Sequence, residues 1–144
     1  EKAEQSQTPA AAIELPDGRI ITGRTSSLLG SSAAALLNAV KALGDIPDDI
    51  HLIAPSAIEP IQKLKVNYFG SKNPRLHTDE VLIALSMCAA TDVNAQKALD
   101  QLSKLKGCQA HTSVMLSNVD IHTFQRLGVE LTSEPIFEYN KIYR

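Results

Sequence analysis

The sequence of 144 residues has no tryptophan, and aromatic residues make up only 4% of it. A core built from this chain must consist of Ala, Leu, Ile and Val side chains, which suits close packing of helices on a sheet better than stacking on bases. The formal net charge is −2, and the charged residues are mixed along the chain without a basic stripe. We therefore predict no nucleic-acid partner.

Cysteine is also scarce, because only Cys88 and Cys108 occur and they do not form a C-x-x-C pair. Two cysteines, one of them in an apolar helix, suit a reducing cytoplasm better than a disulfide framework. Both are predicted to be inert, small hydrophobic residues. No apolar run reaches membrane-spanning length and no signal-peptide pattern opens the chain, so we predict a cytoplasmic protein with no membrane partner.

The length fits a single domain with one core. Residues 1–9 are polar and begin without methionine, which predicts a linker and a chain cut from a longer protein. Residues 10–134 are predicted to form one α/β domain. The segment 135–144 carries Phe137, Tyr139 and Tyr143, and it is predicted to be a tail that forms an edge strand or docks on another domain.

The stretch from Gly30 to Gly44 predicts a short helix that is apolar on nearly every side and therefore buried. Serines open this helix, and Gly44 stands where a helix often ends in a left-handed residue. Asn38 is a polar side chain within it. Because an unpaired buried amide is costly, we expect Asn38 to bond the backbone of a neighbouring loop.

Strand and helix signals around this helix predict a mixed sheet. Asp17-Gly18, between the β-prone runs 11–15 and 19–23, predicts a β-hairpin. Further strands are predicted at residues 50–54, 110–116 and 129–132, and further helices are predicted to begin at Ser56, Thr78, Ala95 and Ser117. The helix that begins at Thr78, with the Thr78 hydroxyl as its cap, is predicted to be buried all round. Alternation of strands and helices after a hairpin predicts a three-layer α/β/α domain, with helices on both faces of the sheet.

Four blocks of the sequence resemble the C-terminal region of a bacterial family, the domain-of-unknown-function family 1846. They are residues 9–23, 25–30, 72–82 and 105–111. The resemblance implies a C-terminal domain without an established activity. It also implies a cytoplasmic protein several times longer, with an N-terminal region that carries a glycine-rich segment of the phosphate-binding kind.

The hairpin, the loop and the small-residue helix also resemble the start of a cytidine-deaminase-type fold. Such enzymes carry His-x-Glu or Cys-x-Glu at that helix start and Pro-Cys-x-x-Cys at the next. In this sequence Ser31-Ser32-Ala33 and Pro55-Ser56-Ala57-Ile58 stand there instead. A zinc deaminase needs three metal ligands and one proton-shuttling carboxylate, so we predict the topology without the zinc and without that chemistry.

Hydroxyl side chains cluster at the predicted start of the central helix, and a second cluster of polar residues precedes the helix at Thr78. A helix start offers free N–H groups and a positive dipole end, which suit a phosphate or carboxylate. Arg24 and the cluster of Lys72, Arg75 and His77 could add charge, if the fold brings those loops together. The alternative is that the hydroxyls only cap a buried helix and nothing binds. The predicted anion-binding residues are Thr25, Ser26, Ser27, Ser31, Ser32, Asn73, Arg75 and His77.

Other chemistries have weaker support. The segment from Gly30 to Ala34 faintly resembles a nucleophile elbow, but it lacks the second glycine and does not directly follow a strand. His51, His111 and His122 are scattered, and His51 and His111 are predicted to be strand residues. No carboxylates or thiols stand at ligand spacing, so we assign no catalytic residue, no metal site and no cofactor.

Two functions follow as hypotheses. In the first, this is a non-catalytic module that supports assembly, as a homo-oligomer or by docking on the N-terminal part of the same protein. In the second, the domain contributes an anion- or nucleotide-binding site to a larger phosphate-using enzyme and takes a phosphate-containing small molecule.

Overall fold

The computed structural model describes residues 10–113 and 115–133. The predicted linker 1–9 and tail 135–144 lie outside these residues. The strands are β1 (Ala10–Glu14), β2 (Ile20–Arg24), β3 (Gln109–Thr112) and β4 (Glu130–Ser133). The helices are α1 (Ser31–Leu43), α2 (Pro55–Lys63), α3 (Thr78–Ala89), α4 (Val93–Leu99) and α5 (Asn118–Leu127), with a π-helical turn at Leu64–Tyr68 and a 3-10 turn at Leu102–Leu105.

The predicted hairpin is confirmed. Strands β1 and β2 pair antiparallel, and Gly18 takes a left-handed φ of 91° at the turn between them. The Asp17 carboxylate accepts hydrogen bonds from the Arg19 backbone N–H, at 3.0 Å, and from its Nε, at 2.7 Å. These bonds favour the charged carboxylate and lower the pKa of Asp17.

The sheet is mixed, with strand order β2-β1-β3-β4, and β1 runs antiparallel to both of its neighbours while β3 and β4 are parallel. Side chains alternate along the strands: Ile13 and Ala110 are buried, whereas Thr22, His111 and Thr132 are exposed. Within the described residues the helices therefore cover one face only. The predicted three-layer arrangement is wrong for this part of the chain, which has two layers.

Helix α1 packs on β1 and β2, and most of its side chains are buried, as predicted. It lies very close to β2: a Cβ placed on Gly23 of that strand would be only 2.1 Å from the Ala35 backbone nitrogen. The prediction for Asn38 was only partly right, because its side chain is exposed. Its Nδ2 donates to the backbone oxygen of Thr22, on a strand rather than a loop, at 2.9 Å.

The segment that follows α1 differs from prediction at two points. Gly44 has a φ of −89°, and the left-handed residue is Asp45, with a φ of 56°. Residues 50–54 form no strand, although Leu52 and Ile53 are buried. The ammonium of Lys41 donates to the carbonyls of Asp48 and Ile50, at 2.8 and 2.7 Å, so this loop is tied to α1 instead of pairing with a strand.

The middle helices also depart from prediction. Helix α2 begins at Pro55, one residue earlier than predicted, and no side chain caps it. Helix α3 is not buried all round: Val81 and Leu85 face the core, whereas Ile83 and Met87 are exposed, because no described helix covers that side. The helix predicted from Ala95 starts two residues earlier, ends at Leu99 and continues as the 3-10 turn.

Candidate functional site

A pocket of about 240 Å³ opens at the N-terminal end of α1. Its walls come from the loops that precede α1, α3 and α5, so three helices begin around it. Six of the eight residues predicted to bind an anion line this pocket: Thr25, Ser31, Ser32, Asn73, Arg75 and His77. The lining residues do not include Ser26, Ser27, Arg24 or Lys72.

Among the described residues, the first backbone N–H groups of α1 have no acceptor. Its N-cap is Gly30, which has no side chain, and no side chain caps the helix. The first helical hydrogen bond runs from the Ala34 N–H to the Gly30 oxygen at 3.0 Å, so the N–H groups of Ser31, Ser32 and Ala33 have no acceptor within the helix. The interpretation of these serines as caps is therefore wrong.

The hydroxyl of Ser32 is the most unusual group on the pocket wall. Ser32 is 2% exposed, and among the described residues its Oγ has no hydrogen-bond partner. A buried hydroxyl without a partner costs about 1–3 kcal/mol. This group therefore has an unused hydrogen-bonding capacity beside three free N–H groups.

The loop before α3 is joined to the loop before α1. The Leu76 N–H donates to the Leu28 oxygen at 2.9 Å, and the Gly30 N–H donates to the Leu76 oxygen at 3.2 Å. Arg75 Nε donates to the Ser26 oxygen at 2.5 Å. These bonds place the Arg75 guanidinium and the start of α1 at the same pocket, which is where the sequence predicted an added positive charge.

The two predicted residues that do not line the pocket have other roles. The Ser26 Oγ accepts hydrogen bonds from the N–H groups of Leu28 and Leu29, at 3.2 and 3.1 Å, and shapes its own turn. The backbone oxygen of Ser27 accepts a hydrogen bond from Gln62 Nε2 at 3.0 Å. Both residues thus belong to the framework of the loop that leads into α1.

Asp120, on the first turn of α5, is a pocket residue that the sequence analysis missed. It is 7% exposed, and its Oδ1 accepts hydrogen bonds from the Thr78 N–H, at 2.9 Å, and the Thr78 hydroxyl, at 2.7 Å. Its Oδ2 lies 3.5 Å from His77 Nδ1. Thr78 is therefore not the cap of α3: the N-cap is His77, whose N–H donates to Glu80 Oε1 at 2.8 Å.

The remaining predicted polar groups lie elsewhere. His51, His111 and His122 are exposed; His111 is a strand residue, as predicted, but His51 lies in a loop. Cys108 is buried, and this burial raises the pKa of its thiol. Within residues 10–113 and 115–133, no three His, Cys, Asp or Glu side chains are grouped so as to hold a metal ion.

The family can be assigned by comparison with known proteins. The model of the C-terminal part of the domain of unknown function DUF1846 matches residues 1–143. This chain belongs to the DUF1846 family. The resemblance on which the sequence analysis relied is therefore confirmed, and the pocket described above is a feature of a DUF1846 C-terminal domain.

Relatives of this DUF1846 domain are proteins named UPF0371. The chain is 61% identical over 137 residues to one of Corynebacterium aurimucosum, covering 95% of the chain and 28% of the relative. It is 60% identical to one of Corynebacterium diphtheriae, over 98% of the chain and 28% of the relative. It is 47% identical to one of Streptococcus pyogenes, over the whole chain and 29% of the relative.

The DUF1846 domain thus spans less than a third of the length of these relatives. Among the described residues, no helix has both the length and the apolar character needed to cross a bilayer.

Chemically, the pocket of the DUF1846 domain is rich in donors. It presents three free backbone N–H groups, a guanidinium, an imidazole and serine hydroxyls. Asp120 is the one acidic side chain among the described lining residues, and its Oδ1 is already occupied by Thr78. Donors in such excess suit a ligand that accepts hydrogen bonds and carries negative charge.

Proposed function

We propose that this domain binds a phosphate-type anion at the start of α1 and so contributes a binding site to a longer protein. The observation that carries the proposal is Ser32, which lines the pocket and whose buried Oγ has no hydrogen-bond partner among the described residues. Natural proteins rarely leave such a group unsatisfied. An anion at the pocket floor would accept its hydrogen bond together with those of the Ser31, Ser32 and Ala33 N–H groups.

Electrostatics supports the same ligand. Three helices begin at the pocket, and each helix N-terminus favours a nearby negative charge by about 0.3–1 kcal/mol. Arg75 adds a full positive charge, and a guanidinium can bind two phosphate oxygens at once. The Asp120 carboxylate is engaged on the protein side, because its Oδ1 accepts two hydrogen bonds from Thr78 and its Oδ2 lies 3.5 Å from His77 Nδ1.

The size of the pocket supports a small ligand. A volume of about 240 Å³ is below the usual range of drug-sized ligand sites, about 300–1,000 Å³. Leu76, Met115 and Leu116 also line it, and the described lining has no Phe, Tyr or Trp ring on which a base could stack. We infer that the ligand is a phosphate ester with a small organic part. A larger phosphate-using enzyme would supply or use this ester.

The first prediction concerns Ser32→Ala, which removes the unpartnered hydroxyl and no other group. Without phosphate, we expect the variant to be as stable as the parent protein or up to about 1 kcal/mol more stable, because an unsatisfied buried group is gone. Its affinity for inorganic phosphate should fall about tenfold or more, since a hydrogen bond to a charged group contributes about 1.5–3 kcal/mol. Urea unfolding and isothermal titration measure the two effects.

Ser86→Ala is the matched control, because the Ser86 hydroxyl is exposed and donates to the Ile83 carbonyl on α3. We expect it to leave phosphate binding unchanged. The proposal fails if Ser32→Ala binds phosphate as the parent protein does. It also fails if the parent protein binds no phosphate, or if Arg75→Gln binds phosphate as tightly as the parent protein does.

A second candidate function is a non-catalytic module that docks on the rest of its polypeptide or on another copy. The observation that favours docking is the length of the relatives, of which this domain covers only 28–29%. Several large apolar side chains of the described residues are also exposed. The two functions are compatible, because a domain can dock through one surface and bind an anion at another.

We also propose that the sheet is of the cytidine-deaminase type without its metal chemistry, and that the protein is cytoplasmic. The strand order β2-β1-β3-β4, with β1 antiparallel to its neighbours, and the position of α1 directly after the hairpin support this topology. Ser31 and Ser32 stand where the resemblance expects a zinc ligand. The unpaired thiols of Cys88 and Cys108 support a reducing compartment.

A further inference from the structure

An unusual apolar surface lies at the π-helical turn after α2. Four side chains within six residues are exposed there: Leu64, Val66, Tyr68 and Phe69, with Tyr68 72% and Phe69 74% exposed. We call these four residues the aromatic turn. A large apolar side chain left in water is ordinary when it stands alone, but neighbouring aromatic side chains exposed together are typical of interaction sites.

The backbone of the aromatic turn is held in place. Lys65 points inward, and its ammonium donates to the Arg75 oxygen, at 2.5 Å, and to Glu80 Oε1, at 2.8 Å. The Phe69 N–H donates to the Leu64 oxygen at 3.0 Å, and the Ser71 N–H donates to the Lys65 oxygen at 2.8 Å. A rigid segment loses little conformational entropy when it binds, which favours it as an interface anchor.

Along the sequence, the segment that contains the aromatic turn carries charge of one sign, and the nearby Glu80 is paired with Lys65. Between Glu59 and Asp79 the sequence contains no acidic residue, and the exposed Lys63 and Lys72 flank the turn. Two copies related by a twofold axis would bring these lysines toward the same lysines of the other copy, which is unfavourable. The charge pattern therefore fits a different surface, one with an apolar centre and an acidic rim.

We propose that the aromatic turn is where this domain docks on the N-terminal part of its own longer polypeptide. The family model describes this domain as C-terminal, and the relatives are more than three times its matched length, so such a part is covalently tethered in them. Tethering raises the effective concentration, so a compact surface of this kind suffices for docking. The inference rests on the docking role proposed above.

Hydroxyl-radical footprinting of the full-length protein tests this inference. For each side chain, the oxidation rate in the native protein is divided by the rate in urea. The ratio for Tyr68 is then compared with the ratio for Met87, which is 69% exposed on α3. We expect the ratio for Tyr68 to be at least fivefold lower than that for Met87. Phe69→Ser should restore the oxidation of Tyr68, whereas Ile20→Thr, which changes an exposed residue of β2, should not.

Other outcomes overturn the inference in distinguishable ways. If Tyr68 oxidises freely while Met87 or Ile20 is protected, the domain docks through another surface and only the assignment to the aromatic turn is wrong. If no exposed side chain of the domain is protected, the docking role itself fails. A third outcome is that Tyr68 is protected, but that dilution removes this protection and lowers the mass of the assembly in solution. The aromatic turn is then covered by a second copy of the chain, and the proposed docking on the N-terminal part is wrong.

Discussion

Gly23→Ala is expected to lower the free energy of unfolding by about 3 kcal/mol or more, or to prevent folding. A Cβ at this position would lie 2.1 Å from the Ala35 nitrogen, 2.6 Å from its Cα and 2.7 Å from the Ala34 carbonyl carbon. All three atoms belong to the backbone of α1, so no side chain can rotate away. The helix would have to move off β2, and the buried Ala35 and Leu36 contacts would be lost.

Urea unfolding of the domain measures this effect, with Gly30→Ala as the control. A Cβ on Gly30 would be 3.8 Å from its nearest neighbour, the Leu76 oxygen, which is an ordinary contact. Because Gly30 is an N-cap with an extended backbone, we expect that substitution to cost less than about 1 kcal/mol. A Gly23→Ala variant as stable as the Gly30→Ala variant would contradict the close packing of α1 on β2.

Asp120→Ala should destabilise the domain by about 3 kcal/mol. The change removes the acceptor of two hydrogen bonds from Thr78, which is 0% exposed, so a buried N–H and a buried hydroxyl are left without partners. It also disconnects the start of α3 from α5. Asp120→Asn keeps an oxygen that can accept from Thr78, so its cost should be smaller, about 1–2 kcal/mol.

The control for Asp120 is Asp100→Ala, because Asp100 is exposed and its Oδ1 accepts a hydrogen bond from the side chain of Gln96 at 2.8 Å. It should stay within about 0.5 kcal/mol of the parent protein. Since Asp120→Asn also removes the acidic charge from the pocket lining, we expect that variant to bind phosphate more tightly than the parent. Weaker phosphate binding by Asp120→Asn would mean that the carboxylate itself serves the ligand.

Local signals were sufficient for the elements whose ends depend on backbone conformation. Asp17-Gly18 predicted the hairpin because a left-handed residue is required there, and Gly18 supplies it. Gly128, with a φ of 79°, closes α5 for the same reason. The apolar stretch between Gly30 and Gly44 predicted α1 almost to its ends, and in the structure this helix packs on β1 and β2.

Predictions failed where the structure depends on contacts that no local pattern reveals. The run 50–54 has the composition of a buried strand, and Leu52 and Ile53 are indeed buried. Its carbonyls, however, are bonded by Lys41, a side chain whose direction no local pattern reveals. Similarly, the apolar composition of α3 does not reveal how many layers of the fold pack around it. The prediction that α3 is buried all round therefore missed the exposure of Ile83 and Met87.

The candidate site was predictable in part. The hydroxyl cluster before α1 and the polar cluster before α3 are visible in the sequence, and the paired loops bring Arg75 to the start of α1. Asp120 is 42 residues from its partner Thr78 and stands in an ordinary helix start, so no spacing rule joins the two. That Ser32 lacks a partner also depends on three-dimensional packing alone.

Hydrogen exchange at the start of α1 tests the anion site most directly. The N–H groups of Ser31, Ser32 and Ala33 have no acceptor within the helix, so their exchange reports a ligand that binds them. In the full-length protein, we expect inorganic phosphate to slow exchange at these amides saturably, with a much smaller effect in Ser32→Ala. If saturating phosphate leaves the exchange of residues 31–33 unchanged, or slows it equally in Ser32→Ala, the proposed site is wrong.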